Sequence, residues 1–299
     1  MDSTTQARNR IKVLVIVGPT ASGKSALAWE LAQKYNGELI SADSRQVYRG
    51  LDIGTGKEKY PQHLIDVADP KEDYNVSHFV ADATKAIEDI SARGKLPIIV
   101  GGTGFWVDSL TCGYELPEVE PQQELRRELE KKSAGELFAQ LQDLDPARSK
   151  HIDKHNKRRL IRAIELVIAT GKPTPQLRKT ARYDALFLGI KISKEELNHR
   201  IEKRLRNRLQ QGLIEETQKL YDSGVSWERL EAFGLEYRSV ARHLQAITSK
   251  DELYKELLHA IQQYAKRQVT WFKRNKNIHW IVDVQDGEKL VDDWLRVAE

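Results

Sequence analysis

Apolar positions along the first third of the chain alternate between two rhythms. Lys12 to Val17 is an unbroken, β-branched run that predicts a buried strand. It enters a glycine-rich segment, Gly18 to Ser25, and then a helical spacing that continues to Lys34. Glu38 to Ala42 predicts a second short strand ending at Asp43. Leu96 to Val100 predicts a third, broken by Gly101 and Gly102. Between them, residues 76–93 space their apolar side chains as an amphipathic helix closed by Gly94. Strands alternating with helices predict a parallel α/β sheet.

Near residue 115 the pattern changes. Glu115 to Pro121 is rich in Pro and Glu and predicts a linker. Helical spacing dominates afterwards. Ser133-x-x-Glu136 is a capping box, and Asn156 to Thr170 is a helix stopped by Gly171 and Pro173. Ala185 to Ile192 predicts a strand returning to the sheet. Ser193-x-x-Glu196 opens a basic helix that ends at Gly212, and Ser249-x-x-Glu252 opens a long one reaching about Asn275. Ile278 to Val282 predicts a last edge strand.

Composition narrows the setting. The chain has 299 residues and one cysteine, Cys112, which excludes an intramolecular disulfide and a Cys-based zinc site. The longest apolar run, Val13 to Val17, is far short of a membrane span, and no signal-peptide core follows the N-terminus. A soluble, reduced, cytoplasmic protein is expected, with no membrane partner, acting as a monomer. Charge adds more. There are 48 basic and 44 acidic residues, yet Arg148 to Gln210 holds 18 of the basic and only 6 of the acidic ones. The remainder, 30 basic against 38 acidic, is net negative. A basic middle on an acidic body points to a polyanionic partner, although basic helices can also be merely solvated.

Gly18-x-x-x-x-Gly23-Lys24-Ser25 is a complete phosphate-loop pattern, placed between an apolar strand and a helix. Glycines let backbone N–H groups close on phosphate oxygens, and the helix N-terminus adds partial positive charge. Lys24 suits the terminal phosphate, and the Ser25 hydroxyl suits Mg²⁺. The expected fold is therefore α/β, a P-loop core with a mostly parallel sheet flanked by helices. Residues 1–114 and 185–299 form the core, and residues 115–184 form an inserted helical domain. A phosphate loop does not by itself imply phosphoryl transfer. The strand at 96–100 ends in Gly101-Gly102-Thr103, without the Asp that an NTPase uses for magnesium. Asp43, ending the preceding strand, is either a metal-binding carboxylate, a general base beside the loop, or a turn-capping residue.

With these stretches assembled, the chain resembles the tRNA dimethylallyltransferases (tRNA isopentenyltransferases), of the bacterial type without a zinc finger. The resemblance rests on Gly18–Ser25, Asp43–Tyr48 (DSRQVY), Gly50–Thr55 (GLDIGT) and His63–Pro70 (HLIDVADP). It continues in Pro97–Gly104 (PIIVGGTG), Arg158–Glu165 (RRLIRAIE), Arg200–Arg204 (RIEKR) and Gln263–Phe272 (QYAKRQVTWF). It implies transfer of a dimethylallyl group from dimethylallyl diphosphate to N6 of adenosine 37, in the anticodon loop of tRNAs reading codons that begin with U. Gly18, Pro19, Thr20, Ala21, Ser22, Gly23, Lys24 and Ser25 would then hold the diphosphate, with Mg²⁺ on Ser25. The resemblance makes Asp43 the base, Thr103 its helper in positioning the amine, and Arg204 the cation on the leaving group, with Arg200 next. For the tRNA it implies Asp43, Ser44, Arg45, Gln46 and Thr103 at the base, and Arg158, Arg159, Leu160 and Arg162 in the insertion. Phe233, Gly234 and Arg238, then Lys266, Arg267, Gln268, Thr270, Trp271 and Lys273, complete the set.

Three residues depart from the family pattern. Phe105 and Trp106 stand where members commonly have a tyrosine, and Leu235 replaces an aromatic. Three other readings have discriminators. An adenylate isopentenyltransferase should lack the insertion and the basic bias. A small-molecule kinase should release the γ-phosphate from ATP in the presence of a nucleoside. A non-catalytic RNA-binding protein would have no reason to keep Asp43, Thr103 and Lys24-Ser25 together.

Overall fold

The computed structural model describes residues 10–114, 119–120, 122–174 and 181–296. Most of the expected linker, Glu115 to Pro121, lies outside the described residues. The chain divides into two compact units, residues 1–113 with 181–299, and residues 114–180. Residues 181–184 thus go with the first unit, where Tyr183 is buried in the core, rather than with the insertion.

The first unit is built on six parallel strands: β1 (Lys12–Val17), β2 (Gly37–Ser41), β3 (Gln62–His63), β4 (Leu96–Gly101), β5 (Asp184–Ile190) and β6 (Ile278–Ile281). Their order is β3-β2-β4-β1-β5-β6, with every pairing parallel. Its helices are α1 (Lys24–Lys34), α2 (Val76–Ala92), α3 (Gly104–Thr111), then α8 (Lys194–Gln210) and α9 (Leu213–Asp222) after the insertion. They continue with α10 (Trp227–Phe233), α11 (Leu235–Leu244), α12 (Lys250–Phe272) and α13 (Val284–Arg296). The continuous apolar run of β1 follows from burial on both faces. Val13, Val15 and Val17 face one core with Phe79, Ala83 and Ile87 of α2. Leu14 and Ile16 face another with Ala28 and Leu31 of α1. A third cluster joins Leu197, Ile201 and Leu205 of α8 to Leu257, Ile261 and Ala265 of α12.

The second unit is helical: α4 (Gln123–Glu130), α5 (Ala134–Leu144), α6 (Pro146–Ser149) and α7 (Lys157–Thr170). The Ser133–Glu136 capping box forms, and Gly171 ends α7 in a left-handed conformation at φ 63°. Leu129, Leu137, Leu141, Leu160, Ile161 and Ile164 make its core. Glu165 is fully buried yet ionised. Burial pushes its pKa up, but hydrogen bonds from Arg126 (2.8 Å), Arg162 (2.5 Å) and the Gln122 N–H (2.7 Å) outweigh this and hold it low.

Sequence patterning missed β3, two residues being too short to alternate. It also missed the junction of α10 and α11, where Gly234 (φ 76°) and Leu235 (φ 40°) break one helix into two.

Candidate active site

Parallel pairing sets all six strands with their C-terminal ends on one edge, where crevices form in open α/β sheets. Because β2, β4 and β1 are neighbours, the residues that follow them come side by side: Asp43 after β2, Gly102-Thr103 after β4, and Gly18 after β1. Sequence spacing alone does not show this adjacency.

The loop from Gly18 turns through a Ser22 N–H bond to the Pro19 carbonyl (3.2 Å), with Ala21 and Gly23 at positive φ, and feeds α1 at Lys24. The first turn of α1 carries no acidic residue, so its N–H groups and dipole are left for an anion. Lys24 Nζ folds back onto the Pro19 carbonyl at 3.4 Å. Desolvation lowers its pKa to about 8. Asp43 pulls it back up, and Arg204 and Arg208 push it further down. Arg200, Arg204 and Arg208 recur every four residues along α8. Arg200 donates to the Ser22 carbonyl (3.4 Å) and pairs with Glu196 (2.6 Å). Arg204 donates to the Thr20 hydroxyl, and desolvation followed by Arg208 lowers its pKa to about 10. Arg208 is buried in an ion pair with Glu236 at 2.8 Å.

The turn after β2 is tied to the turn after β4. Asp43 Oδ1 accepts the Arg45 N–H (2.9 Å), Thr103 Oγ1 accepts the Ser44 N–H (3.0 Å), and the Thr103 N–H reaches the Ala42 carbonyl (3.2 Å). Gln46 accepts from Ser41 Oγ (3.0 Å) and donates to the Thr55 and Gly56 carbonyls (both 3.4 Å), so it fixes the neighbouring loop. Asp43, Thr20, Arg45, Leu235, Tyr237 and Tyr264 share one cleft.

Three residues support this site in ways their local sequence does not signal. Gln268 of α12 accepts the Thr20 N–H (2.8 Å) and donates to the Gly102 carbonyl (2.9 Å), locking the phosphate loop to the Thr103 turn. Glu216 of α9 accepts the N–H groups of Asp52, Ile53 and Gly54 (3.1, 2.6 and 3.0 Å) and the Tyr237 hydroxyl (2.8 Å), clamping the GLDIGT loop. Arg229 ties Asp73 (2.6 Å) and the Pro70 carbonyl (2.8 Å) to the rings of Tyr48 and Phe233.

The GGTG segment is held by contact. A Cβ on Gly101 would meet the Ala42 carbonyl oxygen at 2.2 Å. One on Gly102 would meet Gln268 at 2.2 Å, and one on Gly104 would meet the Trp271 ring at 2.2 Å.

Several residues expected at an RNA surface are placed otherwise. Leu160 is wholly buried in the core of the helical unit, so its expected RNA contact is withdrawn. Arg162 is engaged by Glu165 and the Val119 carbonyl (2.9 Å), whereas Arg158 and Arg159 are exposed. Gln268 is buried with its amide committed at both ends. Phe233 is buried among Tyr48, Tyr237, Arg45 and Arg229. Lys266, Thr270 and Lys273 line a groove with Ile192, Lys194 and His259 that is separate from the Asp43 cleft. Arg267 is exposed beside Tyr264, and Arg238, also exposed, donates to the Glu231 carbonyl (3.1 Å). Trp271 donates to Asp108 (2.8 Å), with Arg274 3.8 Å above its ring. Of the three departures, Trp106 stacks on Phe79 in the core, Phe105 stays exposed at the edge of Trp271, and Leu235 lines the Asp43 cleft.

No helix among the described residues is long and apolar enough to cross a membrane. The family model described as IPP transferase matches residues 46–275, and that described as isopentenyl transferase matches residues 11–64. A tRNA dimethylallyltransferase of Geotalea daltonii is 44% identical over 283 residues, 92% of each chain. The tRNA isopentenylpyrophosphate transferase of Bacillus halodurans superposes with a TM-score of 0.70 at 34% identity, covering 96% of this chain and 95% of that one. A eukaryotic dimethylallyltransferase acting on tRNA reaches a TM-score of 0.74 at 30% identity over 88% of this chain and 70% of its own. With the family model matching more than two thirds of its length, the chain belongs to the tRNA dimethylallyltransferase (IPP transferase) family.

Proposed function

We propose that the protein transfers the dimethylallyl group of dimethylallyl diphosphate to N6 of adenosine 37 in the anticodon loop of tRNAs reading codons that begin with U, releasing diphosphate. Family membership supports the reaction class. One observation carries the assignment of the site: the phosphate loop and the Asp43–Thr103 turns lie side by side at one sheet edge and are tied by Gln268.

The N6 lone pair is delocalised into the purine, so the amine is a poor nucleophile. Asp43 accepts the N6 proton as the lone pair attacks C1 of the allyl group, and Thr103 orients the amine. The C1–O bond breaks, and its electrons leave on the diphosphate. That charge is met by the uncapped N–H groups at the start of α1, by Lys24, and by Arg204 and Arg200. Mg²⁺ fits the donor set. The Ser25 hydroxyl has no hydrogen-bond partner among the described residues, and Mg²⁺ typically takes few protein ligands beside phosphate oxygens and water. Held there, it would neutralise leaving-group charge. The acceptor base must leave its stack to reach Asp43, with Ser44 and Arg45 at its flank. Arg158 and Arg159 offer exposed cations for RNA phosphates. The protein acts in the cytoplasm as a monomer.

The test mixes purified protein, Mg²⁺, dimethylallyl diphosphate and unmodified tRNA, and weighs the digested nucleosides. One adenosine should gain C5H8. Gain on AMP with none on tRNA overturns the proposal.

A further inference from the structure

The long helix α12 turns two side chains, one turn apart, toward the sheet edge. Gln268 is committed at both ends of its amide. Tyr264 is not: among the described residues its hydroxyl has no hydrogen-bond partner, although its ring lines the cleft with Asp43, Thr20 and Arg45. Asp43 is also half-used, since Oδ1 takes the Arg45 N–H and Oδ2 has no partner among the described residues. The cleft therefore presents one open acceptor and one open donor. Burial, then the charge of Asp43, pushes the Tyr264 phenol far above its ordinary pKa, so it remains protonated at any pH the enzyme meets.

Adenine offers the complement. Its N6 amine donates, and a ring nitrogen on either side, N7 or N1, accepts. Guanine places a carbonyl oxygen where N6 would be, and that oxygen would face the Asp43 carboxylate.

We propose that Tyr264 reads the acceptor base, donating its hydroxyl to a ring nitrogen flanking N6 while Asp43 accepts the N6 hydrogen. The pair selects adenine, and Tyr264 keeps its proton throughout. This assignment rests on the acceptor named under the proposed function. It gives Tyr264 a contact with substrate that neither Thr103 nor Asp43 makes, because both act on the amine.

The test is an atom-for-atom cycle. Tyr264→Phe and the unaltered protein are assayed on anticodon stem-loops carrying adenosine, 1-deazaadenosine or 7-deazaadenosine at the acceptor position. Tyr264→Phe should lower kcat/KM for adenosine roughly ten- to hundredfold, the cost of leaving one buried partner unmade. KM for dimethylallyl diphosphate and the Tm should stay put. One deaza base should cost the unaltered protein that same factor and cost Tyr264→Phe nothing more. Wild-type rates in Tyr264→Phe overturn the assignment, as do losses that simply multiply. The analogue arm needs no variant: if neither deaza base slows the unaltered protein, Tyr264 does not read the ring. If the unaltered protein leaves ordinary adenosine unmodified, the proposed function itself fails.

Discussion

Lys24 gives the sharpest pH prediction. Its ammonium is desolvated against the phosphate loop, with Arg204 and Arg208 nearby and only Asp43 and Glu58 to offset them, and its pKa falls from 10.5 to about 8. That drop corresponds to about 3 kcal/mol of disfavoured charging in the ligand-free fold. An incoming diphosphate reverses the sign, because two or more negative charges replace lost hydration. Free protein and donor complex should therefore titrate differently. The profile of kcat/KM for dimethylallyl diphosphate reports the free protein, so it should break near pH 8 and fall about tenfold for each further pH unit. The profile of kcat reports the complex and should show no such break there. Stability moves the other way. Unfolded lysine holds its proton up to about 10.5 whereas folded Lys24 releases it near 8, so the unfolded chain binds more protons across that window. This group's contribution to stability is least below pH 8 and rises, by up to about 3 kcal/mol, as pH approaches 10.5. Steady-state kinetics with donor varied from pH 6.5 to 9.5 decide the matter, with Lys24→Arg as the control that should lack the break while losing rate. A kcat/KM profile flat to pH 9.5 would refute the desolvation argument.

Asp43→Ala should retain tRNA binding and lose turnover by about two to four orders of magnitude, measured by single-turnover prenylation. Replacing Arg158 and Arg159 together by Gln should lower the slope of log affinity against log salt by about two in tRNA titrations, leaving donor binding unchanged. Arg162→Gln should instead reduce thermal stability, because it strips a partner from the buried Glu165. Glu216→Ala should cost about 3 kcal/mol in denaturant unfolding, since three loop N–H groups and the Tyr237 hydroxyl lose their acceptor.

The parts legible in the sequence are those with short-range causes. β1 reads as a buried strand because valine and isoleucine fill both of its faces. α5, α8 and α12 start at Ser-x-x-Glu, because the cap is three residues from its partner. The phosphate loop is legible because its glycines and lysine are contiguous. Arg200 and Arg204 lie four residues apart and so share a helix face, but their role at the leaving group comes from the family resemblance. The rest depends on an apolar period masked by charge and on partners far apart in the chain. Leu160 sits with Ile161 and Ile164 on an apolar stripe, a core signal that the flanking arginines masked. Gln268 and Glu216 take partners more than 160 residues away, which no window can see. The Gly234–Leu235 break was hidden because Leu at positive φ is seldom expected.

The three glycines of the GGTG segment have a consequence for descent. Each missing side chain is space taken by something else: the Ala42 backbone, the Gln268 amide, the Trp271 ring. A lineage that lost the reaction but kept the fold would still be bound to these glycines, since any replacement must move backbone or a packed ring. Asp43 has no comparable packing constraint, as it is half-buried in the turn that follows β2. Among divergent copies of this chain, the three intact glycines of GGTG therefore mark only a sheet edge that still packs. A drifted Asp43 would mark an enzyme that has fallen silent.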